Sequence, residues 1–184
     1  VLKGGVLAGV VTILALLPAA LHQLNRLYEA LEIKAQEFDD VVKMGRTQLQ
    51  DAVPIRLGQE FHAYASAIQR DIKRLHKAAK DMCVVNMGAT AIGTAINVSA
   101  DYLDHIVADL REITKFPLIQ SENLIDGTQN LDGFVNVSGI IKTCAVNLSK
   151  MSNDLRLMSS GPRTGLAEIN LPPKQNGSSI MPGK

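Results

Sequence analysis

The chain has 184 residues, enough for a domain with a substantial core, and 46% of them are apolar, which excludes a disordered tail. Aromatics are only 4% and Trp is absent, so Ala, Leu, Val and Ile must fill the core, a composition suited to closely packed helices. The net charge is +1 and no stretch concentrates Lys and Arg, which argues against nucleic acid as a partner.

A first helix is predicted from about Val6 to about Val42, because Leu14, Leu17, Leu21, Leu24, Tyr28, Leu31 and Phe38 recur at helical spacing. Pro18 predicts a kink or a break near its start. From Gly5 to Leu21 there is no charge, as in a short membrane span. That run contains Pro18 and continues directly into an amphipathic charged helix, and a helix buried on all sides of a bundle has the same pattern. The expectation is therefore a bundle helix and no membrane. A signal peptide would need a basic start and a small-residue cleavage site, and only Lys3 precedes the run. There is no initiator Met, so the protein is expected to begin earlier.

Gly45–Pro54 is polar and ends in proline, which predicts extended or turn structure. A second helix is expected from about Leu57 to about Val85, with Phe61, Tyr64, Ala65, Ile68, Ile72, Leu75 and Ala79 on one face. Asn86–Asn97, rich in Gly, Ala and Thr, predicts a loop or broken helix where chains approach closely. Ser99 is the predicted N-cap of a third helix, which carries Asp101 in its first turn and stops before Phe116-Pro117. A fourth helix is expected from about Asn130 to about Ser159, with Leu131, Phe134, Ile141, Leu148, Met151, Leu155 and Met158 near heptad spacing. Gly161-Pro162 should end it, and the remainder is loop-like. The fold class is all-α, a long-helix bundle, with no internal repeat and no alternating strand pattern.

Cys83 and Cys144 lack partners at metal-ligand spacing, and His22, His62, His76 and His105 fit no metal pattern. The thiols are expected to be reduced and buried, as in a cytoplasmic protein, and the histidines to lie at helix surfaces or core edges. Four Asn-x-Ser sequons, at Asn97, Asn136, Asn147 and Asn176, are expected to be chance.

Three segments interrupt the helical background with polar and small residues. Gly177-Ser178-Ser179-Ile180-Met181-Pro182-Gly183-Lys184 is either a flexible linker or an anion-binding loop, with exposed backbone N–H groups, a hydroxyl and a cation. Thr47-Gln48 is either a solvated turn or a pair of donors for a carboxylate. Ala89–Thr94 is either close helix packing through small residues or a polar wall of a shared site.

In this order the segments resemble the aspartase/fumarase superfamily. Gly177–Lys184 is similar to the start of that family's signature loop, and GRTQLQDAVP followed by Leu57-Gly58-Gln59-Glu60 to a second shared region. Asn86–Thr94, and Ser152–Leu157 with Ser160-Gly161-Pro162-Arg163, are similar to two more. Gln48, Asn86 and Glu168-Ile169-Asn170-Leu171-Pro172 favour the aspartase branch. The resemblance implies elimination of ammonia from L-aspartate to give fumarate. Its alternatives are the hydration of fumarate by a class II fumarase and a non-catalytic structural bundle.

The resemblance further implies that residues 1–184 are a partial central helical-bundle domain ending inside the signature loop. A homotetramer with sites shared between subunits is implied, with a small dicarboxylate as substrate and no cofactor or metal. Ser178 is implied to be the base that takes the Cβ proton, with the Met181 N–H stabilising its oxyanion. Lys184 is implied to pair with one substrate carboxylate and Thr47 and Gln48 to hold the other, while Thr94 contributes wall contacts. The family's segment gripping the amino group precedes Val1, and the loop's Asn follows Lys184, so the 184-residue piece alone is expected to be inactive.

Overall fold

The computed structural model describes residues 2–181 and Gly183. Three long helices organise it: α1 (Leu2–Glu37), α2 (Leu57–Asp81) and α5 (Asp132–Met158). Between α1 and α2 lies a hairpin of β1 (Val42–Thr47) and β2 (Gln50–Arg56). Between α2 and α5 come β3 (Val84–Val85), α3 (Ala100–Thr114), β4 (Ile119–Gln120) and the four-residue α4 (Asp126–Gln129). The bundle expected from the sequence is present. The segment Gly45–Pro54, expected to be extended or turn, lies in the antiparallel hairpin β1–β2, and the short β3 and β4, which no alternating pattern marks, pair in parallel.

Helix α1 packs on α2, and α2 on α5. The predicted face of α2 is the observed one: Phe61, Tyr64, Ala65, Ile68, Ile72 and Leu75 are buried against Leu17, Leu21, Leu24 and Leu31 of α1. On α5 the buried residues are Val137, Cys144, Met151 and Met158, each seven after the last, so the heptad seam holds. Two positions expected on the apolar face of α5, Leu131 and Ile141, are exposed instead. A second cluster joins Val10 and Leu14 of α1 to Ala78, Met82, Cys83, Val107, Leu118 and Val137.

Element ends follow local chemistry. Ser99 caps α3, its side chain accepting from the Tyr102 N–H at 3.3 Å, as expected. Helix α1 runs unbroken through Pro18 and ends at Glu37, short of Val42, because the chain there turns into β1. Val84 and Val85 leave α2 to pair with Ile119 and Gln120. At the start of α2, the Gln59 side chain accepts from the Arg56 N–H at 3.1 Å. Gly58 lets that start approach the end of α1: a Cβ there would collide with the Ala35 carbonyl and come 2.9 Å from Asp39 Cα. Its N–H donates to Phe38 O at 2.9 Å.

Helix α1 is long and apolar enough to cross a membrane by length and composition. Here it packs along α2, yet Leu16 remains 65% exposed.

Candidate active site

The Thr47-Gln48 pair sits at the tip of the hairpin. Thr47 pairs with Gln50, so Gln48 and Leu49 form a two-residue turn with φ of 50° and 64°. Two successive positive φ values are the signature of a tight hairpin turn that normally takes Asn or Gly. Gln48 and Leu49 adopt it without either residue, which is strained backbone at an exposed tip.

Below the tip is a cavity of about 430 Å³ whose wall includes Lys43, Arg46, Gln48, Glu60, Tyr64, Lys150 and Asp154. Ion pairs organise its floor. Lys43 Nζ lies 2.8 Å from Glu60 Oε2 and 3.0 Å from Glu168 Oε2, and Arg46 Nη1 lies 2.8 Å from Glu168 Oε1. Burial pushes the Glu168 carboxyl up, but hydrogen bonds and charge from Lys43 and Arg46 outweigh it and hold the group below the usual carboxylate range. On the far side the Tyr64 hydroxyl donates to Asp154 Oδ2 at 3.1 Å. Burial, and then the Asp154 charge, push that phenol well above its ordinary range, so Tyr64 stays protonated and serves as a donor.

Ser178 is exposed, and its backbone closes a turn with Met181. The Ser178 N–H donates to Met181 O at 2.8 Å, and the Met181 N–H donates to Ser178 O at 3.3 Å. In this arrangement the Met181 N–H is engaged within the turn. Lys184 lies outside the described residues.

Thr94 is exposed in a loop where Gly88, Thr90, Gly93, Ala95 and Asn97 all have positive φ. Gly93 packs so closely on Ile125 that no Cβ fits. Among the described residues no hydrogen bond joins this loop, the hairpin tip and the Ser178 turn, and the cavity wall includes Gln48 but not Thr47, Thr94, Ser178 or Met181.

Two features escape a sequence reading. Thr90 is a β-branched residue at φ 60°, with a buried hydroxyl that has no partner among the described residues. Nothing in the sequence separates it from Thr94. Lys43 and Glu168 meet across more than half the chain, and periodicity carries no signal for such a pair.

A family described as lyase matches residues 10–184. The chain belongs to that lyase family. It is 52% identical over 174 residues to aspartate ammonia-lyase of Bacillus subtilis (strain 168), covering 95% of this chain and 37% of that protein. Among solved structures, the fumarate lyase:delta crystallin from Brucella melitensis bound to cobalt superposes with a TM-score of 0.86 at 48% identity, over 95% of this chain and 39% of that one. A recombinant class II fumarase from Schistosoma mansoni gives a TM-score of 0.85 at 35% identity, over 93% of this chain and 39% of that one. The chain thus spans little more than a third of the length of the relatives it matches. Within this lyase fold, no three His, Cys, Asp or Glu side chains among the described residues gather to hold a metal ion.

Proposed function

We propose that this chain supplies the central helical-bundle domain, with the start of the signature loop at 177–184, of an aspartate ammonia-lyase that converts L-aspartate to fumarate and ammonia. The observation that carries this reading is the 52% identity to a B. subtilis aspartate ammonia-lyase over 95% of the chain, against 35% to a class II fumarase. Gln48 at the hairpin tip, where class II fumarases carry His by resemblance, points the same way.

The difficult step is removal of a proton from Cβ, next to a carboxylate. The Ser178 oxyanion takes that proton, and the C–H electron pair spreads into the carboxylate as an enediolate-like dianion. The pair then forms the C=C bond as the Cα–N bond breaks and ammonia leaves. Stabilising the dianion is the largest catalytic term. Lys184 pairs with it as a point charge, and Thr47 and Gln48 hold the other carboxylate. The Met181 N–H, now donating to Ser178 O, turns to the Ser178 oxyanion when the loop closes on substrate. Thr94 contributes a wall contact. No cofactor is assigned.

A homotetramer with shared sites fits two observations. The cavity whose wall includes Gln48 of the hairpin tip does not include Ser178 or Met181. A nearly wholly apolar groove including Leu16, Leu17, Val137 and Ile141 lies open between α1 and α5, and burying it between subunits would remove apolar surface from water. Two buried free thiols agree with a reducing cytoplasm.

The test supplies a protein of the relatives' length carrying these residues with L-aspartate and, separately, L-malate. Ammonia and fumarate from aspartate are expected; fumarate from malate alone would favour the fumarase reading. Ser178→Ala should lower turnover by at least ~10²-fold with assembly intact, and unchanged turnover would remove Ser178 as the base.

A further inference from the structure

Lys43 and Arg46 stand three residues apart on β1, and strict alternation would send their side chains to opposite faces. Both nevertheless reach Glu168. The hairpin register shifts between Met44 and Arg46, where Gly45 stands opposite two residues of β2, Ala52 and Val53; a bulge of this kind bends and twists the strand pair locally, and beside it the two long side chains converge on one carboxylate. A Cβ on Gly45 would lie 2.8 Å from Val53 O, so the close backbone approach at this bulge excludes larger residues.

Glu168 is itself held in place. Its N–H donates to Met158 O at 2.9 Å, at the end of α5, and Ile169 packs on the core formed with α1 and α2. Lys43 is shared with Glu60 of α2. The Lys43 and Glu168 side chains are only 8% and 14% exposed, so water screens this pair weakly. The strained turn at Gln48 and Leu49 begins two residues after Arg46, and a strained tip persists only where its surroundings over-determine it.

We propose that Glu168 is a positioning residue: by holding Lys43 and Arg46 together it fixes the hairpin tip, Thr47-Gln48, for the substrate carboxylate and ties that tip to the segment that runs on to Ser178. This rests on the reading of Thr47 and Gln48 as the carboxylate-holding pair. Without the Glu168 charge, Lys43 and Arg46 lose the anion they share, Lys43 keeps Glu60 and Arg46 only the exposed Asp51, and the tip loses its anchor.

The experiment uses Glu168→Gln and Glu168→Asp in a protein of the relatives' length, with steady-state kinetics and amide hydrogen exchange. For Glu168→Gln, KM for L-aspartate should rise about 10- to 100-fold while kcat changes by less than about threefold. Exchange at Leu49 and Gln50 should quicken while Ile72 and Leu75 keep their protection, and Glu168→Asp should recover part of the KM. If Glu168→Gln does not fold, Arg46→Lys, which keeps the charge but loses the paired geometry, takes its place with the same readouts. Unchanged hairpin exchange together with unchanged KM overturns the positioning role alone, and Thr47→Val would still raise KM. Faster hairpin exchange with unchanged KM overturns the carboxylate-holding reading and the positioning role with it. Protection lost evenly through the core also overturns the proposal, because Glu168 would then be a general prop of the fold.

Discussion

Asn147 on α5 donates through Nδ2 to Asp71 Oδ2 on α2 at 2.8 Å, and Asp71 is fully buried in the seam between the two helices. Arg74 holds the other Asp71 oxygen. The same contact uses the amide of one of the four Asn-x-Ser sequons, so the half-buried Asn147 side chain is engaged in the helix seam.

Asp71→Ala should therefore destabilise the bundle by about 2–3 kcal/mol, since it strands the Asn147 amide and removes the partner of Arg74. The double change Asp71→Leu with Asn147→Leu should be far milder than the sum of the single changes, because both partners of the hydrogen bond go together while Arg74, 38% exposed, can turn to water. Urea unfolding of the single and double variants measures this directly. Additive losses would mean that the pair is not coupled.

What the sequence makes legible here is periodicity and punctuation. The face of α2, the Ser99 cap and the stop of α3 before Phe116-Pro117 are all local signals, and all agree with the structure. The hairpin is hidden because its turn, Gln48-Leu49, lacks the Gly or Asn that marks such turns, and because Pro54 interrupts the reading of β2. On α5 two apolar stripes compete, and the sequence cannot say which faces α2. Val137, Cys144, Met151 and Met158 take that face and leave Ile141 outside. Of the candidate site, the motifs Thr47-Gln48 and Ser178–Met181 are readable as residues. The Glu168 pairing joins β1 to the segment after α5, beside a one-residue bulge in β2, and no spacing rule reveals such a meeting.

Glu168 also predicts a pH dependence of stability. Its carboxyl is buried, which alone would raise its pKa, but Lys43 and Arg46 lower it on balance. A group with a depressed folded-state pKa stabilises the fold above its unfolded value, about 4.3 for Glu, and loses that contribution as pH falls through the lower folded value. Glu168→Gln should therefore be less stable than the parent at pH 7, with the gap closing as the pH is taken down to ~3. Other carboxylates titrate in both proteins and cancel in the comparison. A gap that stays constant or widens in acid would show that the Glu168 charge is not what matters.

The hairpin tip separates strain from function at adjacent residues. Leu49, at φ 64° and 67% exposed, occupies a conformation that costs an L residue about 1 kcal/mol or more, and its side chain has no assigned role. Leu49→Gly should relieve that strain and raise stability by up to ~1 kcal/mol, the gain being trimmed by glycine's freedom in the unfolded chain. KM for L-aspartate should stay near the parent value. Gln48→Gly relieves the same kind of strain at φ 50°, but it removes the side chain assigned to the substrate carboxylate, so KM should rise while stability does not fall. Urea midpoints and steady-state kinetics on the two variants resolve the contrast. If both leave KM unchanged, the Gln48 amide does not touch substrate; if both raise it equally, the shape of the strained turn, and not the amide, places the dicarboxylate.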